Sequence, residues 1–388
     1  MDHSRQSYQC ARSLTNQFGV YLHVPYCRHR CSYCDFFSSA ENHEFGRFAK
    51  RIAEETAQAA VWWQELAHSR VVDTVFFGGG TPSLLSVPWR AAILDALSRN
   101  LTWGEGVEVT LETNPETVDT AFVDSLLESG VNRLSLGVQS FSQEFLDRLD
   151  RRCRPESVFE ATRLIRASGW KNWSLDLIMG IPGQSAEDLK EDLETALALE
   201  PTHMSVYTLT LKPGHILYKD LPDEDLSADL FELARDTLAA NGFRQYEISN
   251  FAKPGFECRH NLLYWSGSDF LGLGPSAASR YFAEGVFHHR KQVADLNRYF
   301  SQKDVREVAF ESTTREQAVL EAAFLELRKD DGIDCGDFRR RFGVDLRHGS
   351  RVGDLASDGL LETVGERLWL TDRGRLLADS VAPALVGA

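Results

Sequence analysis

Short runs of apolar and β-branched residues alternate along this chain with longer runs whose apolar residues recur every three to four positions, and that alternation leaves few architectures open. The spacing predicts strands at 19–25, 71–77, 107–112, 131–137, 173–179 and 203–209, and helices at 46–66, 88–98, 118–128, 155–168 and 185–199. Regular strand–helix alternation implies a mostly parallel sheet with right-handed crossovers. Six such units predict an α/β fold, a partial (β/α)6 TIM-like barrel. With 388 residues, 43% of them apolar, the chain can fill such a barrel and a smaller second core.

Chemistry-bearing residues gather directly after the predicted strand ends. Three cysteines follow strand one, Gly78-Gly79-Gly80-Thr81-Pro82 follows strand two, and Glu112-Thr113-Asn114-Pro115 closes strand three. In a barrel all of these fall on one rim, the side on which β/α barrels build their sites. The run Cys27-Arg28-His29-Arg30-Cys31-Ser32-Tyr33-Cys34 lets one loop offer three thiolates to three corners of an iron–sulfur cube while the fourth iron stays open. The plainer readings are three unrelated thiols, or a zinc loop that borrows His29 or His23. Seven cysteines, an odd number with three packed into one short loop, favour metal ligation over a disulfide framework.

Charge and hydropathy exclude other classes. Lys and Arg total 42 against 57 for Asp and Glu, a net charge of -15 that repels phosphate backbones and argues against nucleic acid as a partner. No run approaches the roughly 18 apolar residues of a membrane span, and Met1-Asp2-His3-Ser4-Arg5-Gln6 lacks the layout of a signal peptide, so a cytoplasmic location is expected.

Over roughly residues 18–250 these motifs resemble the radical SAM superfamily, whose C-x3-C-x2-C loop holds a [4Fe-4S] cluster and leaves its open iron to S-adenosyl-L-methionine (SAM). By that resemblance Cys27, Cys31 and Cys34 are the cluster ligands. Gly79, Gly80 and Thr81 belong to the glycine motif that lets main chain approach the methionyl amine. Glu112 sits in a pattern similar to Glu-x-Asn-Pro and would face the ribose hydroxyls. Gly137-Val138-Gln139-Ser140-Phe141, Arg151 and Asp176-Leu177-Ile178-Met179-Gly180-Ile181-Pro182-Gly183 resemble the narrower oxygen-independent coproporphyrinogen III oxidase family. That likeness implies that Gln139, Arg151 and Asp176 complete the SAM pocket, with Tyr21 and Tyr33 beside the cluster. A carboxylate at the end of an apolar strand needs a partner, which Arg151 or a cationic ligand could supply to Asp176.

A second constellation separates branches of that family. Phe36 stands where the true decarboxylase carries a fourth cysteine, and Cys258-Arg259 lead into His260-Asn261-Leu262-Leu263-Tyr264-Trp265, which resembles the H-N-x-x-Y-W signature of its heme-chaperone branch. The resemblance implies a heme site at His260, Tyr264 and Trp265: an imidazole for iron and flat apolar faces for the macrocycle, with Arg259 available to a propionate and Cys258 to ligation or attachment. Taken alone, His260 reads rather as a satisfied structural histidine beside core aromatics; downstream of the radical SAM motifs the heme reading takes over. Cys153 and Ala278 replace histidines common in relatives, which removes two polar contacts near the pocket.

The implied function is a heme chaperone that binds heme, a [4Fe-4S] cluster and SAM and passes heme to an acceptor protein, soluble or membrane-associated, with an electron donor as a further partner. The alternative is an enzyme, an oxygen-independent coproporphyrinogen III decarboxylase or a related heme- or porphyrin-modifying radical SAM protein. The expected organisation is a core barrel over 1–250, an extension carrying the histidine motif over 251–312, and a small winged-helix-like domain over 313–388. Within the extension, the Gly- and aromatic-rich stretch 254–287 reads as loop-heavy with its own ligand surface. Three helices at 315–329, 334–342 and 350–358 followed by a hairpin suggest the winged-helix shape, with protein or ligand covering favoured over DNA by the acidity. Cys10, Cys153 and Cys335 read as ordinary thiols.

Overall fold

The computed structural model describes residues 17–67, 71–347 and 350–387; Cys10 and the Met1–Gln6 segment lie outside these. The chain runs β1 (Phe18–Val24), α1 (Phe45–Ala67), β2 (Val72–Gly79), α2 (Val87–Asn100), β3 (Trp103–Thr113), α3 (Thr120–Glu128), β4 (Arg133–Gln139), α4 (Gln143–Arg148), α5 (Pro155–Ala167), β5 (Trp173–Met179), α6 (Ala186–Ala198) and β6 (His203–Thr208). Strands β1 to β6 pair in chain order and in parallel, the partial (β/α)6 barrel expected.

Side-chain alternation sorts each strand into two faces. Val20, Leu22 and Val24 of β1, Leu134, Leu136 and Val138 of β4, and Leu175 and Leu177 of β5 are buried in the main apolar core. The intervening residues Tyr21, Arg133, Ser135, Asp176, Ser205 and Tyr207 line a cavity inside the barrel. A barrel of this kind normally fills its interior with branched apolar side chains; this one keeps polar and aromatic groups there.

The stretch after β6 corrects the loop-heavy expectation for 254–287. It continues as α7 (Glu224–Ala240), β7 (Arg244–Gln245), β8 (Asn250–Ala252), α8 (Arg259–Trp265), β9 (Asp269–Leu273), β10 (Ala278–Ala283), β11 (Val286–Lys291), α9 (Leu296–Ser301) and β12 (Glu311–Ser312). Strand β9 pairs in parallel with β1, and β10 to β12 extend the same sheet by antiparallel pairing, in the order β12-β11-β10-β9-β1-β2-β3-β4-β5-β6-β8-β7. Strand β9 escaped the sequence reading because it is short, carries Gly272 and pairs with a partner some 250 positions away, none of which leaves a periodic signal.

The chain ends in a unit with a second apolar core, which also takes in Phe287 of β11: α10 (Arg315–Glu326), β13 (Ile333–Asp334), α11 (Cys335–Phe342), α12 (Ser350–Ser357), β14 (Leu361–Val364), β15 (Arg367–Leu370), α13 (Asp372–Leu376) and α14 (Ala378–Val386). The three helices and the β14–β15 hairpin follow the sequence reading; the last two helices were not anticipated. Helix α10 reaches both flanks of the open sheet. Its Glu321 pairs with Arg280 of β10 at 3.3 Å and His289 of β11 at 2.9 Å, and just beyond it Lys329 bridges Glu247 and Asp330 N–H donates to Tyr246 O at 3.0 Å.

Candidate functional site

The loop after β1 is pinned from several sides. Cys27 N–H donates to Ser39 O at 3.0 Å, Ser39 N–H to Pro25 O at 2.7 Å, and His43 Nε2 lies 3.0 Å from Cys27 O. Arg28 reaches Glu116 O after β3, His29 Nε2 lies 3.0 Å from Asp150, and Lys212 after β6 pairs with Asp35 at 2.9 Å. Cys27, Cys31 and Cys34 are all free, partly exposed, and line one cavity of about 460 Å³. The zinc alternative finds no fourth ligand. No group of three His, Cys, Asp or Glu among the described residues closes to single-ion spacing, His23 Nε2 donates to Phe37 O at 2.7 Å, and His29 is held by Asp150. Three free thiols on one loop, open to one cavity, are the donor set that a cluster with an open iron needs.

The rest of that cavity is built from the ends of β2 to β6. Tyr33, Gly79, Gly80, Thr81, Glu112, Gln139, Arg151 and Asp176 line it with the cysteines, together with Asn114 and Gly137, which stand in the motifs without an assigned role, and Tyr207, which no motif includes. Thr81 Oγ1 lies 3.6 Å from Cys27 Sγ and accepts from Asn114 Nδ2 at 3.2 Å. Gly79 adopts φ +104° and donates its N–H to Glu112 Oε2 at 3.2 Å; a Cβ there would meet the His23 ring at 2.6 Å. Arg151 donates to Asn114 Oδ1 at 3.1 Å and to Gly137 O, which fixes its guanidinium beside Cys31 and Tyr33. Gln139 holds a left-handed φ of +77°, a strain that clusters at functional sites. The loop after it is anchored by Asp192, which accepts from Ser140 Oγ and Phe141 N–H, both at 2.7 Å.

Asp176 does not pair with Arg151 as the sequence reading allowed. It accepts instead from the hydroxyls of Ser135 at 2.9 Å and Ser174 at 3.1 Å, and burial pushes its carboxyl up. Burial, with the charge of Asp176, holds Glu112 at about 8. A carboxyl whose folded pKa is raised contributes stability below its unfolded value near 4.5 and loses it as pH climbs to about 8. The ligand-free chain is therefore expected to weaken over that window, and Glu112→Gln, which cannot ionise, to flatten the slope. Urea midpoints at several pH values measure this; an unchanged slope in the variant would refute the assignment.

A second cavity of about 590 Å³ lies deeper in the barrel and shares Phe36, Glu112, Ser135, Asp176 and Tyr207 with the first. Its walls include Tyr21, Phe76, His260, Tyr264 and Phe270. Tyr21, expected in the SAM pocket, lines this chamber instead, because it sits two residues below the rim on β1. Helix α8 presents His260 and Tyr264, one turn apart, to the chamber. His260 is 1% exposed, stacks on Phe76 with centroids 5.1 Å apart, and has both nitrogens engaged: Nδ1 with Thr74 Oγ1 at 2.7 Å and Nε2 with Tyr264 Oη at 2.9 Å. Burial lowers its pKa to about 3, so the ring is neutral, the form that binds metals.

Three further expectations for this segment need correction. Trp265 is not a chamber residue; it lies under Arg328, 5.7 Å from the ring centroid, because the residue after Tyr264 points to the next face of the helix. Arg259 turns to the opposite end of the barrel, where its guanidinium donates to Gly106 O at 2.7 Å, so it faces no propionate in the chamber. Cys258 is fully buried against Glu108 and pushed up to about 12, a protonated thiol unsuited to ligation or attachment.

A parallel partial barrel with three thiols on the loop after its first strand defines the radical SAM class, and the Radical SAM superfamily model matches residues 21–196. The model for the HemN C-terminal domain matches residues 313–377. The chain is 33% identical to the heme chaperone HemW of Bacillus subtilis, with 95% of this chain and 99% of that protein covered, and 35% identical to HemW of Escherichia coli, with 93% and 96% covered. It belongs to the heme chaperone HemW family. Among solved structures, coproporphyrinogen III oxidase (HemN) of Escherichia coli shares the fold, with a TM-score of 0.79 at 22% identity over 97% of this chain and 91% of that one. No helix among the described residues is long and apolar enough to cross a membrane.

Proposed function

We propose that this protein is a heme chaperone that carries a [4Fe-4S] cluster on Cys27, Cys31 and Cys34 with SAM beside it, takes heme into the aromatic chamber, and passes it to an acceptor protein. The observation that carries the reading is the common wall of the two chambers, on which Glu112 and Asp176 stand between a thiol-lined and an aromatic-lined space. When bound, the cluster and SAM supply one-electron chemistry. The chain's own residues do the positioning. Arg151 and Asn114 brace the thiol loop, Glu112 and Gly79 shape the rim for SAM, and Tyr21, Phe76, Tyr264 and Phe270 offer flat faces to a macrocycle. His260 would offer Nε2 to the iron once the Tyr264 hydroxyl that now occupies it is displaced. A second reading, radical SAM chemistry on a bound porphyrin, draws on the same wall, since it would set SAM against the chamber's occupant. Sustained deoxyadenosine or methyl transfer in the presence of heme would favour it, and the absence of both would remove it.

Anaerobic titration of the cluster-reconstituted chain with hemin tests the first reading. Saturation near one heme per chain is expected. His260→Ala should weaken binding by about tenfold or more, while Trp265→Phe, changed on the far face of α8, should leave it unaltered. No binding, or equal binding by His260→Ala, would remove heme from this chamber.

A further inference from the structure

The floor of the aromatic chamber holds a cation that the motifs do not include. Arg133 opens β4 facing the barrel interior, is 2% exposed, and lines the chamber with Ser135, Ser205 and Tyr207. Its Nε has no hydrogen-bond partner, and among the described residues its guanidinium forms no ion pair. Glu108 and Asp176 lie near enough to favour its charge, but their oxygens are hydrogen-bonded to other groups. Asp176 accepts from Ser135 and Ser174, and Glu108 accepts the N–H groups of Arg259 and His260, both at 3.1 Å. The other guanidinium on the wall, Arg280, is paired with Glu321 and donates to Tyr264 O and Ser268 O. Lys291 stands exposed at the rim.

Burying a guanidinium whose donors are not hydrogen-bonded to a counter-ion is costly, and the cost is offset when an anion with matching planar geometry completes it. Arginine presents a fork of donors that fits a carboxylate two-pronged. We propose that Arg133 is the anchor for a carboxylate of the molecule that fills the aromatic chamber. This rests on the heme reading above, under which the carboxylate is a propionate and the macrocycle enters with that edge toward β4. The methionyl carboxylate of SAM is the other source of the same chemistry. It is disfavoured because Arg133 lines the aromatic chamber and not the thiol-lined one.

The test compares hemin with hemin dimethyl ester, which keeps the ring and iron and removes both negative charges, on the reconstituted full chain in detergent solution. The native chain is expected to prefer the free acid by about thirtyfold. Arg133→Met should bind the two alike, Arg133→Lys should recover part of the preference, and Lys291→Met should keep all of it. SAM affinity should be the same in each variant. Equal binding of acid and ester by the native chain would overturn the proposal whether or not the variants fold. So would an Arg133→Met chain that loses affinity for both ligands in proportion, which marks a packing role, or one that loses SAM while keeping its preference for hemin. A native chain that binds neither ligand defeats the heme reading itself, a result distinct from a native chain that binds both equally.

Discussion

Cys31→Ala is expected to drop the iron and sulfide content of the anaerobically reconstituted chain from about four of each to near zero, with Cys27→Ala and Cys34→Ala doing the same. A cube held by three thiolates has no spare imidazole around the loop: His23, His29, His43 and His215 are committed to Phe37 O, Asp150, Cys27 O and Ser32 O. Burial raises the thiols of Cys31 and Cys34, so without iron they are protonated, and Arg151 opposes that rise at Cys31. The fold should survive the change, because the loop is closed by backbone bonds between Pro25, Cys27 and Ser39 and not by the sulfurs. Iron quantitation together with a melting curve reads both effects. A variant that keeps its full iron complement would refute the ligand assignment, and one that unfolds would show the loop to be structural.

The second large effect is expected at Gly80. A Cβ on this residue would stand 2.6 Å from Tyr26 O and within 2.9 Å of Tyr26 N and Val24 O, all backbone atoms of the stretch that leads from β1 into the cysteine loop. Gly80 N–H also donates to Val24 O at 2.8 Å, so neither chain can retreat without breaking the ladder between β1 and the turn after β2. Gly80→Ala should cost about 3 kcal/mol or more and should abolish SAM binding, since relief of the clash moves the rim away from the thiols. Gly106→Ala is the control for replacing a glycine with nothing in the way, since a Cβ there meets nothing within 4 Å and only its φ of +65° is strained. Chemical denaturation and SAM titration measure the two losses; a Gly80→Ala chain as stable as the native one would contradict the close approach.

What was legible in the sequence was local. Strands β1, β2, β4, β5 and β6 begin within two residues of where the apolar runs predict them, and the thiol-lined chamber follows from motifs that sit at their ends. Strand β3 begins at Trp103, ahead of the predicted 107, because Gly104 and Gly106 hide its start. The exchange of Asp176's partner from Arg151 to serines could not be read. Neither could the turning away of Trp265 and Arg259, since helix phase relative to a cavity depends on where β9 docks, and β9 pairs with a strand far off in sequence. Arg133 was passed over for a related reason: an arginine at a strand start reads as a solvated boundary residue until the barrel closes around it. The signal that could have found it is the alternation of β4 itself, which puts Arg133 on the same face as Ser135, Gly137 and Gln139.

The sheet never closes on itself, and what spans its open flank is α10, held by ion pairs from Glu321 and by the backbone joints at Glu247 and Tyr246. A barrel completed by its own strands could be unsealed only by tearing a hydrogen-bonded ladder. Here the closing piece shares an apolar seam with the sheet, Phe282 and Phe287 against Phe342, and the Glu321 pairs stand beside it, so lifting it exposes apolar surface without parting any two neighbouring strands.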